Sequence, residues 1–511
     1  MINSSYYIVL AILIIFIETS FLNSQVSIAW VARYDGGFGD DAGLAIITDE
    51  SGNVYVTGNS HGNQTRRDLV VIKYSPAGAN LWTRRIADTV NNGYMSGRDI
   101  QMDEFSNVIV GGSGIYKYDS NGNLLWSNPD VGCYVFDFDS AGNVYTISGN
   151  TYYITRKLNL SGVILWEHLY PGYQVIDPNR PYDMCIDNEN NVLVTGQCRQ
   201  STGILNDYAT VKYSNAGNLI WERRYNGGNE DIAYAIACDD SNNVYVTGWN
   251  KNISTDILTI KYSPEGDTVW KAVYDGGGFD VGYDIEVDSL GCVYVGGVSS
   301  GTYITIKYNV NGSLLWSRSQ PLQVIPEFPI LKLDISRNVY MSYVSYRPGL
   351  YSNYAVVKYN NDGVQQWIAD YNNGGDGNII YNMTVDAKSN ASIYVTGKSG
   401  GSIATVKFVQ TPTQINQSTN NITPDSYWLG QNFPNPFNPK TVIQYHIPVK
   451  GLVSLKVFDV LGNEVAQLLN GNQEAGSYET EFDGSGFGSG IYFYRIEAGE
   501  FVQTRSMILV K

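Results

Sequence analysis

Asp231–Cys238 (DIAYAIAC), Asn243–Gly248 (NVYVTG), Asp256–Tyr262 (DILTIKY) and Thr268–Tyr274 (TVWKAVY) are four short runs rich in β-branched and aromatic residues. Turn-forming Asp, Asn, Ser and Gly residues separate them, so they read as strands of one small antiparallel sheet. The second run carries apolar side chains on both of its alternating faces, which suits a strand packed between two neighbouring sheets. A sheet of four such strands cannot bury both faces alone. It has to be stacked on copies of itself.

The copies are in the chain. A unit of roughly fifty residues recurs eight times between Trp30 and Val409, a period characteristic of β-propellers. Trp30, Trp82, Trp126, Trp166, Trp221, Trp270, Trp316 and Trp367 each fall in the fourth-strand position, most of them after a short polar turn such as Asn121-Gly122-Asn123. Their spacing varies from 40 to 55 residues, as it does when insertions fall in loops around a fixed sheet. The last unit stops at Lys407-Phe408 without its Trp-bearing strand, and a spare one, Val26–Tyr34, precedes the first complete set. Pairing Val26–Tyr34 into the blade built from Met383–Phe408 removes the open edges, so an eight-bladed ring closed in that way is predicted. A seven-bladed ring is the alternative, because the unit from Trp126 to Trp166 is the shortest and most divergent.

Bulk properties narrow the function classes. The 511 residues carry 33 Lys+Arg against 49 Asp+Glu, a formal net charge of −16, and nucleic acid is therefore not an expected partner. Tyr (40) and Gly (53) are abundant, which fits strands and tight turns and not long helices. The five cysteines form neither CxxC nor Cys/His clusters, so no zinc site is expected. Cys185 and Cys238 sit in apolar strands and are expected to pack as small hydrophobes; a Cys185–Cys198 link is the conceivable bridge. Tyr6–Ile17 (YYIVLAILIIFI) is too short to span a bilayer but right for a signal-peptide core, giving residues 1–24 as a leader and Gln25 as the mature start. An uncleaved anchor is the rival reading, since no Lys or Arg precedes the apolar run.

Chemistry-bearing patterns are few. Acidic turns such as Asp49-Glu50-Ser51-Gly52-Asn53 and Asp239-Asp240-Ser241-Asn242-Asn243 superficially resemble a calcium loop but lack its closing glutamate, so they are read as hairpin turns. Asp41, Asp231 and Asp280 each follow a Gly-Gly pair and share one rim of the ring; they are expected to accept N–H bonds from their own loops, with a cation or polyol as the alternative occupant. The three histidines (His61, His168, His446) have no partner motif, neither GxSxG nor HExxH occurs, and no Arg-rich stretch suited to an anionic sugar is visible. The chain is therefore expected not to be an enzyme and to need no cofactor, although channel carboxylates acting on a polysaccharide stay open as an alternative. Tyr152, Tyr153, Tyr170, Tyr173, Tyr346, Tyr351 and Tyr354 lie in or beside variable loops and are read as filling half-buried strand faces, with binding of extracellular carbohydrate or protein as their alternative role; the propeller as a whole is expected to bind such a ligand. A purely structural surface role is the third reading.

The repeated pattern Tyr-x-Gly-Gly, Asp, apolar strand, Asp-x-x-Gly-Asn-Val-Tyr-Val-Thr-Gly, Lys-Tyr and Gly-Asn-x-x-Trp resembles bacterial β-propeller units known as SBBP repeats, most clearly in blades one, five and six. That resemblance implies the fold and an extracytoplasmic setting, without a uniform activity. After a polar linker, 410–425, residues 426–511 read as six or seven strands of a small Ig-like β-sandwich. Its motifs run in order: Asn432-Phe433-Pro434-Asn435-Pro436-Phe437-Asn438-Pro439, Phe458-Asp459-Val460-Leu461-Gly462-Asn463-Glu464-Val465, Gly476-Ser477-Tyr478, Gly490-Ile491-Tyr492-Phe493-Tyr494, and the terminal Met507–Lys511. This succession resembles the type A C-terminal sorting domain of the type IX secretion system. The resemblance marks Pro434, Pro436, Asp459, Gly462, Gly476, Gly490 and Lys511 as sorting-motif positions. It implies the secretion machinery as partner, and release or surface attachment beyond the outer membrane. Arg505-Ser506 departs from the family, whose members often carry a Lys near the end.

Overall fold

The computed structural model describes residues 26–62, 66–87, 93–172, 179–199, 205–321, 328–346, 352–373, 377–386, 392–410, 427–432 and 435–511. It is all-β, in two compact units, Met1–Thr413 and Gln414–Lys511. The expected leader and residues 411–425 of the expected linker lie outside the described residues. No helix among the described residues is long and apolar enough to cross a membrane.

Among the described residues, eight four-stranded antiparallel sheets follow one another in the first unit, seven of them running from an inner strand outward in chain order. The fifth is Asp231–Cys238, Val244–Lys251, Thr255–Tyr262 and Thr268–Tyr274. The divergent third unit also forms a sheet of its own, Val135–Phe138, Val144–Ser148, Tyr153–Leu158 and Ile164–Tyr170. Only the eighth breaks chain order: Ile379–Asp386, Ser392–Ser399 and Ser402–Gln410 are completed by Val26–Tyr34, with Val26 opposite Gln410 and Tyr34 opposite Ile403. Inner strands of successive sheets pack on one another, and that of the eighth, Ile379–Asp386, packs on that of the first, Ala42–Thr48, so the succession closes as a β-propeller.

Local chemistry accounts for the repeated motif. Every residue of Val54–Ser60 and of Asp68–Tyr74 is buried, because both faces of these middle strands meet a neighbouring sheet. The Thr of Val-Tyr-Val-Thr-Gly is tolerated there because its hydroxyl bonds inside the sheet, as Thr57 does to the Val70 carbonyl at 2.9 Å. The following Gly sits against a bulge in the inner strand: a Cβ on Gly58 would lie 1.9 Å from the Ala42 carbonyl oxygen, and one on Gly248 2.0 Å from that of Ile232.

The Trp and Gly-Asn positions bind sheet to sheet. Trp221 of the fourth sheet donates its indole N–H to the Pro264 carbonyl of the fifth at 3.0 Å and packs on Gly266 of the same turn. Trp82, Trp166, Trp270 and Trp316 repeat the bond with the next sheet. Trp30 does so from the N-terminal strand, donating to Pro76 of the first sheet at 2.9 Å. The strand that completes the eighth sheet thus also fastens it to the first.

One expectation is overturned. Cys185 and Cys238 do not pack as separate small hydrophobes; they form a disulfide between the inner strands of the fourth and fifth sheets. The two lie 53 residues apart, about one repeat, which places them at the same end of adjacent strands with Cα atoms 6.2 Å apart, within bridging range. Cys198 is buried and Cys185 is already bonded to Cys238, so the Cys185–Cys198 link is not made.

In the second unit, a three-stranded sheet (Trp428–Leu429, Lys440–Ile447, Gly476–Asp483) and a four-stranded one (Glu464–Gln473, Gly451–Phe458, Gly490–Ala498, Phe501–Leu509) share one core that includes Ile443, Tyr445, Val453, Leu455, Tyr494 and Met507.

Candidate functional site

The inner strands are bulged at one place, and the bulge builds the site. In the first, second, fourth, fifth, sixth and eighth sheets the strand register skips one residue: Leu44, Arg98, Tyr182, Tyr234, Tyr283 and Tyr381. A bulge re-aims the side chain of the extra residue. Tyr134 and Phe328 come to the same level from the third and seventh units. The outcome is a collar with one contribution from each of the eight units. Tyr182, Tyr234, Tyr283 and Phe328 form a chain of ring contacts with centroids 5.0, 5.2 and 4.6 Å apart. Arg98 lies over the Tyr134 ring at 5.3 Å. The collar opens into a cavity of about 670 Å³ whose walls come from sheets on opposite sides of the ring, which puts it at the mouth of the central channel.

Below the collar the channel wall turns acidic. Asp99, Asp183 and Asp284 follow the bulged residues directly. Each accepts one N–H from its own strand and one from the inner strand of the next sheet: Phe136 to Asp99 at 3.0 Å, Ile236 to Asp183 at 3.0 Å and Leu331 to Asp284 at 2.7 Å. They latch adjacent blades. Burial pushes the Asp99 and Asp137 carboxyls up to about 6 and that of Asp183 up to about 7, and it raises Asp284 as well. Lys332 pairs with Glu286 at 2.6 Å in the same wall, and the Glu286 charge holds its ammonium above the usual lysine range. These groups lie deep in the ring, yet Lys332 keeps 39% and Glu286 29% of its side-chain surface accessible, as expected of residues lining an internal channel.

The residues singled out by sequence fall into place differently. Asp49 accepts N–H bonds from Ser51 and Asn53 at 3.0 and 2.8 Å and bonds from Asn53 Nδ2 and the Tyr55 hydroxyl, so the acidic turns spend their oxygens on turn geometry. Asp41, Asp231 and Asp280 are fully buried and accept N–H bonds from Gly36, Gly227 and Gly276 at 2.6, 2.5 and 2.6 Å. Asp280 does meet Asp256 and Asp275 within 4.8 Å, but Gly276, Gly277, Ser254 and Ser300 already donate to this trio. Of the loop-adjacent tyrosines, Tyr153, Tyr170 and Tyr354 are buried in the core, as strand filling requires, and Tyr152 is half-buried. Tyr173 and Tyr351, and the side chain of Tyr346, lie outside the described residues. The three histidines stand apart: His61 beside Asp40, His168 stacked on Tyr213, and His446 against Trp428 in the second unit.

Sequence reasoning missed the collar, though a signal exists. Leu44, Arg98, Tyr134, Tyr182, Tyr234, Tyr283 and Tyr381 each stand five residues before the Asp that ends the inner strand. A Tyr at this position reads as ordinary strand filling until the bulge is known.

In the second unit, Asp459 closes a hairpin with the bonds of the propeller turns, from Leu461 N, Asn463 N and Asn463 Nδ2, each at 2.9 Å, and Gly462 takes the φ of +84° that the turn needs. Gly476 and Gly490 open strands. Phe437, next to Pro436, is buried and exchanges backbone bonds with Ile508 and Val510. Lys511 donates to Ser485 and Ser489. Pro434 lies outside the described residues.

Residues 431–511 match the family described as "Secretion system C-terminal sorting domain". An uncharacterized WD repeat-containing protein of Acanthamoeba polyphaga mimivirus is 23% identical over 273 residues, 41% of this chain but only 19% of the length of that protein. The crystal structure of Sqt1 from Chaetomium thermophilum aligns with a TM-score of 0.52 at 8% identity, over 76% of this chain and all of that one, a likeness of fold alone. PorZ, a surface component of the type IX secretion system of Porphyromonas gingivalis, aligns over 93% of this chain and 74% of its own at 13% identity, with a TM-score of 0.29 that carries no statement about fold. The chain is thus a repeat-rich β-propeller protein that ends in a type IX secretion system C-terminal sorting domain, which implies secretion to the cell surface or the extracellular space.

Proposed function

We propose that this protein is an eight-bladed, non-enzymatic propeller of the SBBP-repeat kind that binds extracellular carbohydrate at the collared mouth of its channel. Residues 1–24 direct it to the periplasm, and the Ig-like C-terminal domain carries it through the type IX machinery to release or surface attachment. The observation that carries the reading is a cavity of about 670 Å³ lined by Tyr134, Tyr182, Phe328 and Tyr381, with the rings of Tyr234 and Tyr283 linking Tyr182 to Phe328. Aromatic faces with polar tips, held by rigid strands, suit sugar rings and cost little ordering on binding. A glycan array probed with the exported protein tests it: binding without release of reducing sugar is expected, and silence across the array would sink it. Deleting residues 426–511 is expected to retain the protein within the cell envelope; normal secretion of that truncation would overturn the export assignment.

A polysaccharide-acting enzyme is the second reading, and one observation favours it: Asp137 and Asp183, with carboxyls raised to about 6 and 7, have the protonation suited to a general acid. Its weakness is that Asp99, Asp183 and Asp284 are each already engaged by two backbone N–H groups. Reducing-sugar release that disappears in Asp183→Asn would establish it.

A further inference from the structure

The channel mouth continues sideways. A second cavity of about 480 Å³ shares Leu44, Arg98 and Tyr381 with the first and extends over the first, second and eighth sheets. The two together make one groove. Its charge runs against that of the chain: among the described residues, Arg67, Arg98, Arg180 and Lys398 line it with a single carboxylate, Asp40, in a protein whose net charge is −16. Asp40 is engaged by Lys398 at 2.6 Å, which leaves three guanidinium groups in excess.

Among the described residues, no ion pair holds these arginines. Arg98 is exposed and lies over the Tyr134 ring. Arg180 is exposed beside the Tyr182 hydroxyl. The Nε of Arg67 is buried with no hydrogen-bond partner among the described residues. A buried charged donor without an acceptor is costly, and an incoming anion removes that cost. Apolar stacking surface lies along the same groove: Tyr94 is 62% exposed and Phe328 61%.

From this juxtaposition we infer that the groove takes an acidic polysaccharide, one bearing carboxylate or sulfate groups, with the guanidinium forks of Arg67, Arg98 and Arg180 on the anions and Tyr94 and Phe328 on the sugar faces. The inference rests on the carbohydrate-binding reading above and narrows it. Planar guanidinium matches carboxylate and sulfate in a bidentate fashion, and alternation of such forks with flat rings matches the alternation of charge and pyranose face along a polyuronate. The acid layer beneath the collar (Asp99, Asp137, Asp183 and Asp284) repels an anionic chain, so the ligand lies across the mouth and does not thread the channel.

Titration of the exported full-length protein with polygalacturonate, chondroitin sulfate, dextran and poly-glutamate tests this. Polygalacturonate or chondroitin sulfate is expected to bind with an affinity that falls as salt rises, and whichever binds tighter identifies the anion. The pair Arg98→Gln with Arg180→Gln is expected to weaken that binding by about tenfold or more with an unchanged melting temperature. Tyr94→Ala, at an exposed ring, is expected to weaken it without altering the salt dependence. Dextran binding equal to that of polygalacturonate and indifferent to the arginine changes would overturn the acidic class while leaving the carbohydrate reading standing. Equal binding of poly-glutamate would overturn the glycan in favour of a protein ligand. Binding of none of the four would overturn both the inference and the reading beneath it.

Discussion

On one face of the ring, Asp49, Asp103, Asp139, Asp187, Asp239, Asp288 and Asp334 close seven hairpins with the same bonds, each accepting the N–H groups two and four residues on. On the opposite face, where the chain crosses from one sheet to the next, the loops share an anchoring Asp or Asn, with a donating Gly-Gly pair in three of them, but differ in length and in the rest of their composition. The cavities follow the same division. The one between the fifth and sixth sheets on the turn face sets Asp239, Asp240 and Asp288 against Lys261, whereas the groove on the crossover face gathers Arg67, Arg98, Arg180 and Lys398. Uniform geometry is what a closed ring requires of the face that carries its Trp clamps. Variation is free where the loops carry none, and there a binding surface can be built without disturbing closure.

This division can be broken at its strongest point first. Removing Val26–Tyr34 strips the eighth sheet of its outer strand and the first sheet of the Trp30 clamp, and it is expected to abolish cooperative thermal unfolding by circular dichroism. Next, Trp221→Ala on the turn-face clamp should cost about 3–5 kcal/mol in denaturant unfolding. Tyr94→Ala on the crossover face should cost no more than about 0.5 kcal/mol. Equal costs for the two would contradict the assignment of stability to one face and recognition to the other.

Replacing Cys185 and Cys238 together by Ser should lower stability by about 2–4 kcal/mol, since the bridge closes a loop of one repeat in the unfolded chain. Mass spectrometry of the secreted protein checks the bond itself. The proposed route through the periplasm would pass through a compartment that permits it.

The smallest effect separates the turn face from the channel by pH. Burial favours the protonated form of Asp99, Asp137 and Asp183 in the folded chain. The stability they contribute is therefore complete below about pH 4 and is lost as the pH rises through 6 to 7. Asp103 and Asp139 on the turn face behave oppositely. Burial works against their charge, but the Lys117 and Lys157 ammonium groups and the Asn107 and Asn143 bonds hold both carboxyls below the usual range. Their contribution is present above about pH 4 and lost below it. Melting temperature is expected to peak near pH 4–5 and to fall toward pH 8. Asp183→Asn should flatten the alkaline limb; an unchanged limb would remove the channel carboxyls from the account.

What the chain could disclose unaided was whatever repeats within one unit. Strand alternation, the Gly after Val-Tyr-Val-Thr, the Trp of each outer strand and the orphan strand Val26–Tyr34 are local or periodic, so the sheets and the way the last is completed were legible from residue order. The C-terminal motifs were legible for the same reason, because Asp459-Val460-Leu461-Gly462-Asn463 is one turn read in succession. Only the tertiary structure decided what neighbouring units make together. Cys185 and Cys238 look like two unrelated core residues until adjacent inner strands bring their ends together. Leu44, Arg98 and Tyr381 come from three sheets and meet because each is turned inward by a bulge and the ring converges at its axis. A linear sequence records the period of a ring but not its radius, and it is the radius that places residues of separate repeats within reach of a common ligand.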